Sequence, residues 1–407
     1  MKCRHCAHPL QHTFVDLGTA PPSNAYLRPA DLAAPEVYYP LKVMVCSHCW
    51  LVQTEDYAAA DALFTPDYAY FSSTSSGWLA HAARYAEMIT DRLKLGAESL
   101  VIELASNDGY LLKNFVAAGI PCLGVEPTDS TADAAQALGI PVLREFFGES
   151  LGQRLQDEGR QADLIAGNNV YAHVPDINDF TLGMKAALKR GGTITLEFPH
   201  LLQLISQTQF DTVYHEHFSY LSLNTVARIF AACGLRVTDV ETLSTHGGSL
   251  RVYGCHADDP RLDSAAVHRV LQAETDAGLQ DVTTYMNFQD RVEIVKNDFI
   301  AFLIEQKRAG RSVAAYGAAA KGNTLLNYAG VKPDLLSFVC DAAGYKQGKY
   351  LPGSRIPVHA PDRIEELRPD FVVIFPWNIA DEIMDQIGHI RNWGGQFVTA
   401  VPTLVIR

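Results

Sequence analysis

The sequence lacks a long apolar segment and an excess of positive charge. None of its apolar runs approaches the roughly 20 residues that a membrane-spanning helix needs. The first residues, MKCRHCAHPLQ, lack the apolar core of a signal peptide. Lys and Arg number 33 against 46 Asp and Glu, which gives a formal net charge of -13, and no basic run offers a surface for phosphates. We therefore expect a cytoplasmic protein that binds neither membranes nor nucleic acid.

The chain also lacks low-complexity segments and short repeats. Its 407 residues, 48% of them hydrophobic, suffice for two or three domains with separate cores. Residues 1–70 show little helical periodicity and are expected to form a small irregular module. In residues 71–258, and again in residues 259–407, apolar strand candidates alternate with helical segments such as FQDRVEIVKNDFIAFLIEQKRAG. This predicts an α/β fold with a doubly wound parallel sheet, a second Rossmann-like unit behind it and a cleft between them.

Half of the eight cysteines occur in two CxxC pairs, which are Cys3 with Cys6 and Cys46 with Cys49. Four thiolates in two short chelating loops suit tetrahedral zinc and leave no position for water, so the metal is expected to be structural. The alternatives are redox motifs or two unrelated pairs. Three nearby side chains are substitute ligands, namely His5, His8 and His48.

The first glycine turn, VIELASNDGYLL, follows a strand and opens a helix. It lacks the GxGxxG fingerprint of dinucleotide-binding proteins, because Ala105 and Asn107 stand where glycines would be. Acidic residues end both the first strand (Glu103) and the second (Glu126), which is typical of class I S-adenosylmethionine methyltransferases. We expect this cofactor to be bound by Glu103, Ala105, Asn107, Asp108, Glu126, Asn168 and Asn169. For the two asparagines, a plain turn after the strand is the alternative.

The segment DTVYHEHFSYLSL sets several titratable side chains among aromatic ones. Such a cluster favours proton transfer, although a solvated polar loop is the alternative. His215 points away from its neighbours if the segment is extended, so it is left out of the predicted catalytic set.

Taken together, the CxxC pairs, ELASNDGYLL, NNVYAHVPD, FDTVYHEHFSYLSL and HGGSLRVY resemble the nucleotide-sugar C-methyltransferases that make 3-C-methyl deoxysugars. The resemblance covers essentially the whole chain. It implies that a nucleoside diphosphate 4-keto-6-deoxyhexose loses the proton on carbon 3, and that the resulting enolate attacks the methyl group of S-adenosylmethionine. By motif position, His217 is the general base and Glu216 orients or assists it. Tyr214 and His173 are expected to hold the keto oxygen, and Tyr68 is expected to contact the sugar.

Two glycine-containing segments supply further candidates for substrate binding. In STHGGSLRVYG, the glycines let the backbone approach a ligand beside His246 and Arg251; a hairpin with a surface arginine is the alternative. In VAAYGAAAKGNTLLNY, Lys321 and Asn323 follow a strand-to-helix turn that suits a diphosphate. The alternative there is a duplicated fold without a ligand.

The sequence is also compatible with other functions. An O-methyltransferase could use the same base, whereas an NAD-dependent oxidoreductase is disfavoured because neither turn has GxGxxG. A zinc-pinned scaffold protein is the third alternative. The sequence does not distinguish thymidine from guanosine diphosphate sugars, and it is compatible with a monomer.

Overall fold

The computed structural model describes residues 1–55 and 71–407. The strands in these ranges are β1 (His12–Ala20), β2 (Tyr39–Val45), β3 (Val52–Thr54), β4 (Val101–Leu104), β5 (Cys122–Val125), β6 (Val142–Leu143), β7 (Ala162–Asn168), β8 (Leu188–Pro199), β9 (Ser219–Tyr220), β10 (Leu235–Leu243), β11 (Ser249–His256), β12 (Val313–Tyr316), β13 (Val339–Cys340), β14 (Val358–His359), β15 (Phe371–Ile374), β16 (Gln396–Thr399) and β17 (Val405–Ile406). The α-helices are α1 (Ser76–Leu93), α2 (Leu112–Ala117), α3 (Asp129–Ala137), α4 (Glu149–Asp157), α5 (Ile177–Ala187), α6 (Leu201–Ser206), α7 (Leu223–Ala232), α8 (Ala265–Asp276), α9 (Val282–Met286), α10 (Phe288–Arg308), α11 (Ala320–Ala329), α12 (Arg363–Leu367) and α13 (Ala380–Gln386).

The N-terminal module contains an antiparallel sheet in the order β1-β2-β3-β9. Its fourth strand comes from a distant part of the chain, because β9 lies within the segment DTVYHEHFSYLSL. In the β3–β9 pair, Val52 lies opposite Tyr220 and Gln53 opposite Ser219. The module therefore holds the end of the predicted catalytic segment through backbone hydrogen bonds.

The central sheet has seven strands in the order β10-β11-β8-β7-β4-β5-β6. The five strands β8, β7, β4, β5 and β6 are parallel to one another, and β11 and β10 add an antiparallel edge. This is the strand order of class I methyltransferases, and the predicted fold class is confirmed. The chain reverses its direction of growth between β4 and β7, so a ligand crevice is expected where these two strands end.

The C-terminal sheet repeats this arrangement in the order β14-β13-β12-β15-β16-β17, parallel except for β17. Its reversal lies between β12 and β15, and α11 begins just beyond the end of β12. The second strand-helix alternation is therefore present as the sequence predicts.

One apolar core joins the first module to the last unit. Phe14 of β1 stacks on Phe288 of α10, with 4.4 Å between ring centroids, and the same buried cluster includes Val43 and Val313. The predicted boundaries after residues 70 and 258 stay predictions. Among the described helices, none combines the length and the apolarity that crossing a bilayer would demand.

Candidate active site

The four paired cysteines converge on one point. Their sulfur atoms all lie within 4.8 Å of one another. The Sγ atoms of Cys3 and Cys49 are 3.5 Å apart and those of Cys6 and Cys46 are 3.6 Å apart. Four sulfurs at about 2.3 Å from one zinc ion lie about 3.8 Å apart in a tetrahedron, so the cluster fits this metal.

The two CxxC loops have the same backbone form. Ala7 and Trp50, the residues after each second cysteine, are left-handed with φ of 57° and 65°. Each donates its backbone N–H to the carbonyl of the first cysteine of its pair, over 2.9 Å. Gln53 of β3 also donates to the Cys3 sulfur over 3.2 Å, which suits a thiolate. The predicted substitute ligands lie outside the cluster, since His5 contacts Asn178 and the rings of His8 and His48 stack on each other.

The first glycine turn surrounds the crevice at the end of β4. Its residues alternate into the left-handed region, with φ of 55° at Ala105, 50° at Asn107 and 78° at Gly109. Glu126, just beyond β5, accepts the backbone N–H groups of Asn107 and Thr128, each over 2.9 Å. One carboxylate therefore fixes the loop, and each of its oxygens keeps a lone pair for ribose hydroxyls.

The crevice also contains buried acceptors. Burial raises the pKa of Glu103 well above its ordinary value, although the nearby Tyr110 hydroxyl lowers it in part. Within residues 1–55 and 71–407, neither Glu103 oxygen has a hydrogen-bond partner of good geometry, and the same holds for the side-chain oxygen of Asn168. A ligand that brings N–H and O–H donors, such as the amino acid and ribose parts of S-adenosylmethionine, fits these acceptors.

Other predicted cofactor residues shape the crevice indirectly. The side chains of Asn107 and Asp108 accept the backbone N–H groups of Ser72 and Ser73, over 2.9 and 3.0 Å. The Nδ2 atom of Asn169 lies 3.1 Å from Nε2 of His246. The crevice is thereby linked to the second predicted segment, HGGSLRVY.

The polar cluster lies beside this crevice and fixes the tautomer of one histidine. Nδ1 of His217 is 2.9 Å from the carbonyl oxygen of Thr212, which accepts hydrogen bonds only, so Nδ1 carries the proton. Nε2 therefore presents a lone pair, and the Tyr214 hydroxyl donates to it over 2.8 Å. The His173 ring stands edge-on to His217 with 4.6 Å between centroids.

The neighbours of His217 are held by the N-terminal module. Asn24 Nδ2 donates to both carboxylate oxygens of the buried Glu216, over 2.9 and 2.7 Å. His215 Nε2 instead lies 3.3 and 3.2 Å from the carbonyl oxygens of Tyr39 and Pro40. Its placement on the other side of the segment agrees with the expected alternation.

The C-terminal unit closes the other side of the cleft. Lys321 donates to Asn378 Oδ1 over 2.8 Å and lies 4.2 Å from the centre of the Trp377 ring. Trp377 in turn donates its Nε1–H to Asp211 over 2.7 Å. Neither Asp211 nor Trp377 was predicted, and only Asp211, at the edge of the segment DTVYHEHFSYLSL, had a signal nearby.

Two residues predicted to contact the substrate bind other groups of the protein. Arg251 is 4% exposed and its guanidinium pairs with Glu197 of β8 and Glu241 of β10, over 2.9 and 3.1 Å. Asn323 is buried and donates to the backbone of Ser23 over 2.7 Å. Both groups are already engaged within the protein, and their contacts with a substrate stay predictions. Tyr68 lies outside the described residues.

Comparison with known proteins identifies the family of this chain. Family models match residues 3–64 as a putative zinc binding domain, residues 78–240 as a methyltransferase domain and residues 244–402 as a C-methyltransferase C-terminal domain. C-methyltransferase NovU of Streptomyces niveus is 34% identical over 401 residues, which cover 98% of this chain and 95% of the relative.

Two similar solved structures each cover less than half of this chain. Magnesium protoporphyrin IX methyltransferase from Synechocystis PCC 6803 with bound SAH is 14% identical, with 44% of this chain and 83% of that chain covered and a TM-score of 0.35. An S-adenosylmethionine-dependent methyltransferase from Clostridium acetobutylicum ATCC 824 is 10% identical, with 46% and 92% covered and a TM-score of 0.35. On the family models and the full-length relative, this chain belongs to the C-methyltransferase family and is an S-adenosylmethionine-dependent enzyme with an N-terminal zinc-binding module.

Proposed function

We propose that this enzyme methylates carbon 3 of a nucleoside diphosphate 4-keto-6-deoxysugar through an enolate, with His217 as the general base. The observation that carries the proposal is the fixed tautomer of His217, because its Nε2 lone pair is the form of imidazole that takes a proton. A sulfonium methyl donor needs no activation, whereas a sugar carbon becomes a nucleophile only after a base removes its proton.

The environment keeps this base in its reactive form. Burial, together with the nearby His173, lowers the pKa of His217 well below its ordinary value. Burial also lowers the pKa of His173 to about 4. Both rings are therefore neutral near pH 7, so His217 is in the form that accepts a proton.

The other residues of the cluster have distinct proposed roles. Tyr214, which donates to Nε2, can turn its hydroxyl to the keto oxygen when the substrate replaces it at the base. Glu216, fixed by Asn24, offers a rigid acceptor for a sugar hydroxyl. His246, beside Asn169, would face the sugar from the cofactor side. When bound, S-adenosylmethionine supplies the methyl group, which leaves its sulfur as the new carbon–carbon bond forms.

The test is mass spectrometry of thymidine and guanosine diphosphate 4-keto-6-deoxysugars incubated with enzyme and S-adenosylmethionine in light and heavy water. We expect one substrate to gain a methyl group and to exchange the hydrogen beside its ketone. The variant His217→Asn should bind S-adenosylmethionine but lose exchange, whereas His215→Asn, which changes the neighbouring histidine on the other side, should retain it. Methylation of an oxygen without exchange would instead identify an O-methyltransferase.

A further inference from the structure

Lys321 of the C-terminal unit faces the segment that carries the base. It is the second residue of α11, a helix that packs on the turn formed by Phe210–Thr212. One turn further along this helix, Thr324 donates to the backbone carbonyl of Val213 over 2.8 Å. Lys321 therefore enters the cleft next to the start of the segment Tyr214 to His217.

The charged and titratable groups around Lys321 come from both sides of the cleft. The positive charge of Lys321 contributes to the lowered pKa values of His217 and His246. Asp211 acts in the other direction and raises the pKa of Lys321. All three groups are therefore within electrostatic reach of the lysine. The two histidines are neutral near pH 7, since burial lowers the pKa of His246 to about 4 and that of His217 well below its ordinary value. The lysine is thus a cation within electrostatic reach of the proposed base.

The contacts of Lys321 leave it able to bind an anion. Among the described residues, its ammonium group donates one hydrogen bond, to Asn378, and makes no ion pair within 4 Å. Asp211 is engaged by the Trp377 indole instead. Trp377 also packs closely on Gly247, since an added Cβ at Gly247 would lie only 2.4 Å from its ring. A rigid aromatic support thus holds a cation that still has N–H groups to donate.

We propose that the Lys321 ammonium donates a hydrogen bond to the keto oxygen of the sugar and stabilises the enolate, a catalytic role that rests on the function proposed above. When the C3–H bond breaks, its proton goes to Nε2 of His217. The electron pair forms the C3–C4 double bond, and the carbonyl π pair moves onto the oxygen that Lys321 meets. As carbon 3 bonds to the methyl group, the carbonyl re-forms, and His217 later releases its proton to water. Lys321 keeps its own protons throughout.

This assignment differs from the sequence prediction that Lys321 binds the diphosphate. A diphosphate would bring two negative charges close to the buried Asp211, whereas the Lys321 ammonium carries one positive charge. An enolate oxygen carries one charge, and it appears only during the reaction. A preorganised donor in a site that excludes water is most effective against such a developing charge.

The experiment separates catalysis from binding with two variants, Lys321→Met and Lys321→Arg. For Lys321→Met we expect the rate of solvent deuterium exchange at carbon 3 to fall on the order of 100- to 1000-fold, as for the loss of an oxyanion donor. The dissociation constants of the free nucleoside diphosphate and of the 4-hydroxy sugar nucleotide, which lacks the ketone, should stay near those of the wild type. Lys321→Arg should restore part of the exchange and extend it to higher pH, because arginine stays protonated.

Two results would overturn the proposal. The first is exchange by Lys321→Met at the wild-type rate. The second is a loss of affinity for the 4-hydroxy sugar nucleotide as large as the loss of exchange, which would return Lys321 to the diphosphate. Melting curves and S-adenosylmethionine binding show whether each variant folds. The wild-type enzyme tests the underlying function separately, since its own failure to exchange any 4-keto sugar would refute the methylation proposal whatever Lys321 does.

Discussion

Replacing Arg251 by methionine tests the interpretation of a residue that the sequence assigned to the substrate and the structure places inside the central sheet. Arg251 pairs with Glu197, which is fully buried and also accepts from His81 over 2.9 Å and from the Thr245 hydroxyl over 3.0 Å. Burial alone would raise the pKa of Glu197, but these partners hold it below its ordinary value. The carboxylate is therefore charged, and it depends on its partners for compensation.

The expected magnitude follows from the burial of the pair. Removing one partner of a buried ion pair leaves an uncompensated charge and typically costs about 3–5 kcal/mol. For a unit of this size, each kcal/mol shifts the melting temperature by about 2–4 °C, so Arg251→Met should melt on the order of 10 °C lower. The double variant Glu197→Gln with Arg251→Met should recover part of this loss, because it no longer buries an unpaired charge.

The assay is thermal melting together with steady-state kinetics, and the chain offers a matched control. Arg190 pairs with Asp258 at the surface, where their side chains are 74% and 69% exposed, so Arg190→Met should cost less than about 1 kcal/mol. If Arg251→Met melts like Arg190→Met and instead raises KM for the sugar substrate, the structural interpretation is wrong and Arg251 reaches the substrate.

Three further predictions concern the metal, the module and the pH dependence. Cys46→Ser should lose the bound zinc and melt at a lower temperature. Cys122→Ser, which changes a cysteine outside the cluster, should keep the zinc. Metal analysis of both proteins tests this, and a zinc-loaded Cys46→Ser would contradict the proposed ligand set. Asn24→Ala removes a donor to both oxygens of the buried Glu216, and losing such a contact costs about 1–3 kcal/mol. We therefore expect kcat to fall about 5- to 150-fold with unchanged affinity for S-adenosylmethionine. Turnover at the wild-type rate would show that this contact is dispensable. The exchange rate should be flat just above pH 6.5, because the pKa of His217 lies below that value and the imidazole is already neutral. The rate should then fall as the pH rises through about 8, where Lys321 loses its proton. A rate that still climbs above pH 8 would exclude protonated Lys321 from the reaction.

Much of the fold could be predicted because its signals are local. Strand and helix periodicity repeat twice along the chain, and the helix predicted from residue 288 is observed as Phe288–Arg308. The cofactor crevice was also predictable, because glycine turns and acidic strand ends sit at fixed places relative to a parallel sheet. The zinc cluster followed from the spacing of the cysteines alone.

The remaining features depend on contacts between distant segments, which no local pattern encodes. Arg251 occupies an alternating strand that looks half-exposed in sequence, yet α1 covers that face of the sheet, with Tyr85 lying 4.6 Å from the guanidinium. The pairing of β9 with β3 joins residues far apart in the chain. Trp377 gave no signal, because its role depends on Asp211 and Gly247 meeting it across the cleft.

These long-range contacts hold the segment of the proposed base, His217, among three units of the chain. The segment of His217 is short and irregular, so its own secondary structure does not fix the imidazole. The N-terminal module holds its far end through β9 and Glu216 through Asn24, while α11 of the C-terminal unit holds its near end at Val213. A carbon acid gives up its proton slowly unless base and oxyanion donor are both in place beforehand. The structure holds the segment of the proposed base from two sides, so loss of the zinc module is expected to impair proton removal as well as folding.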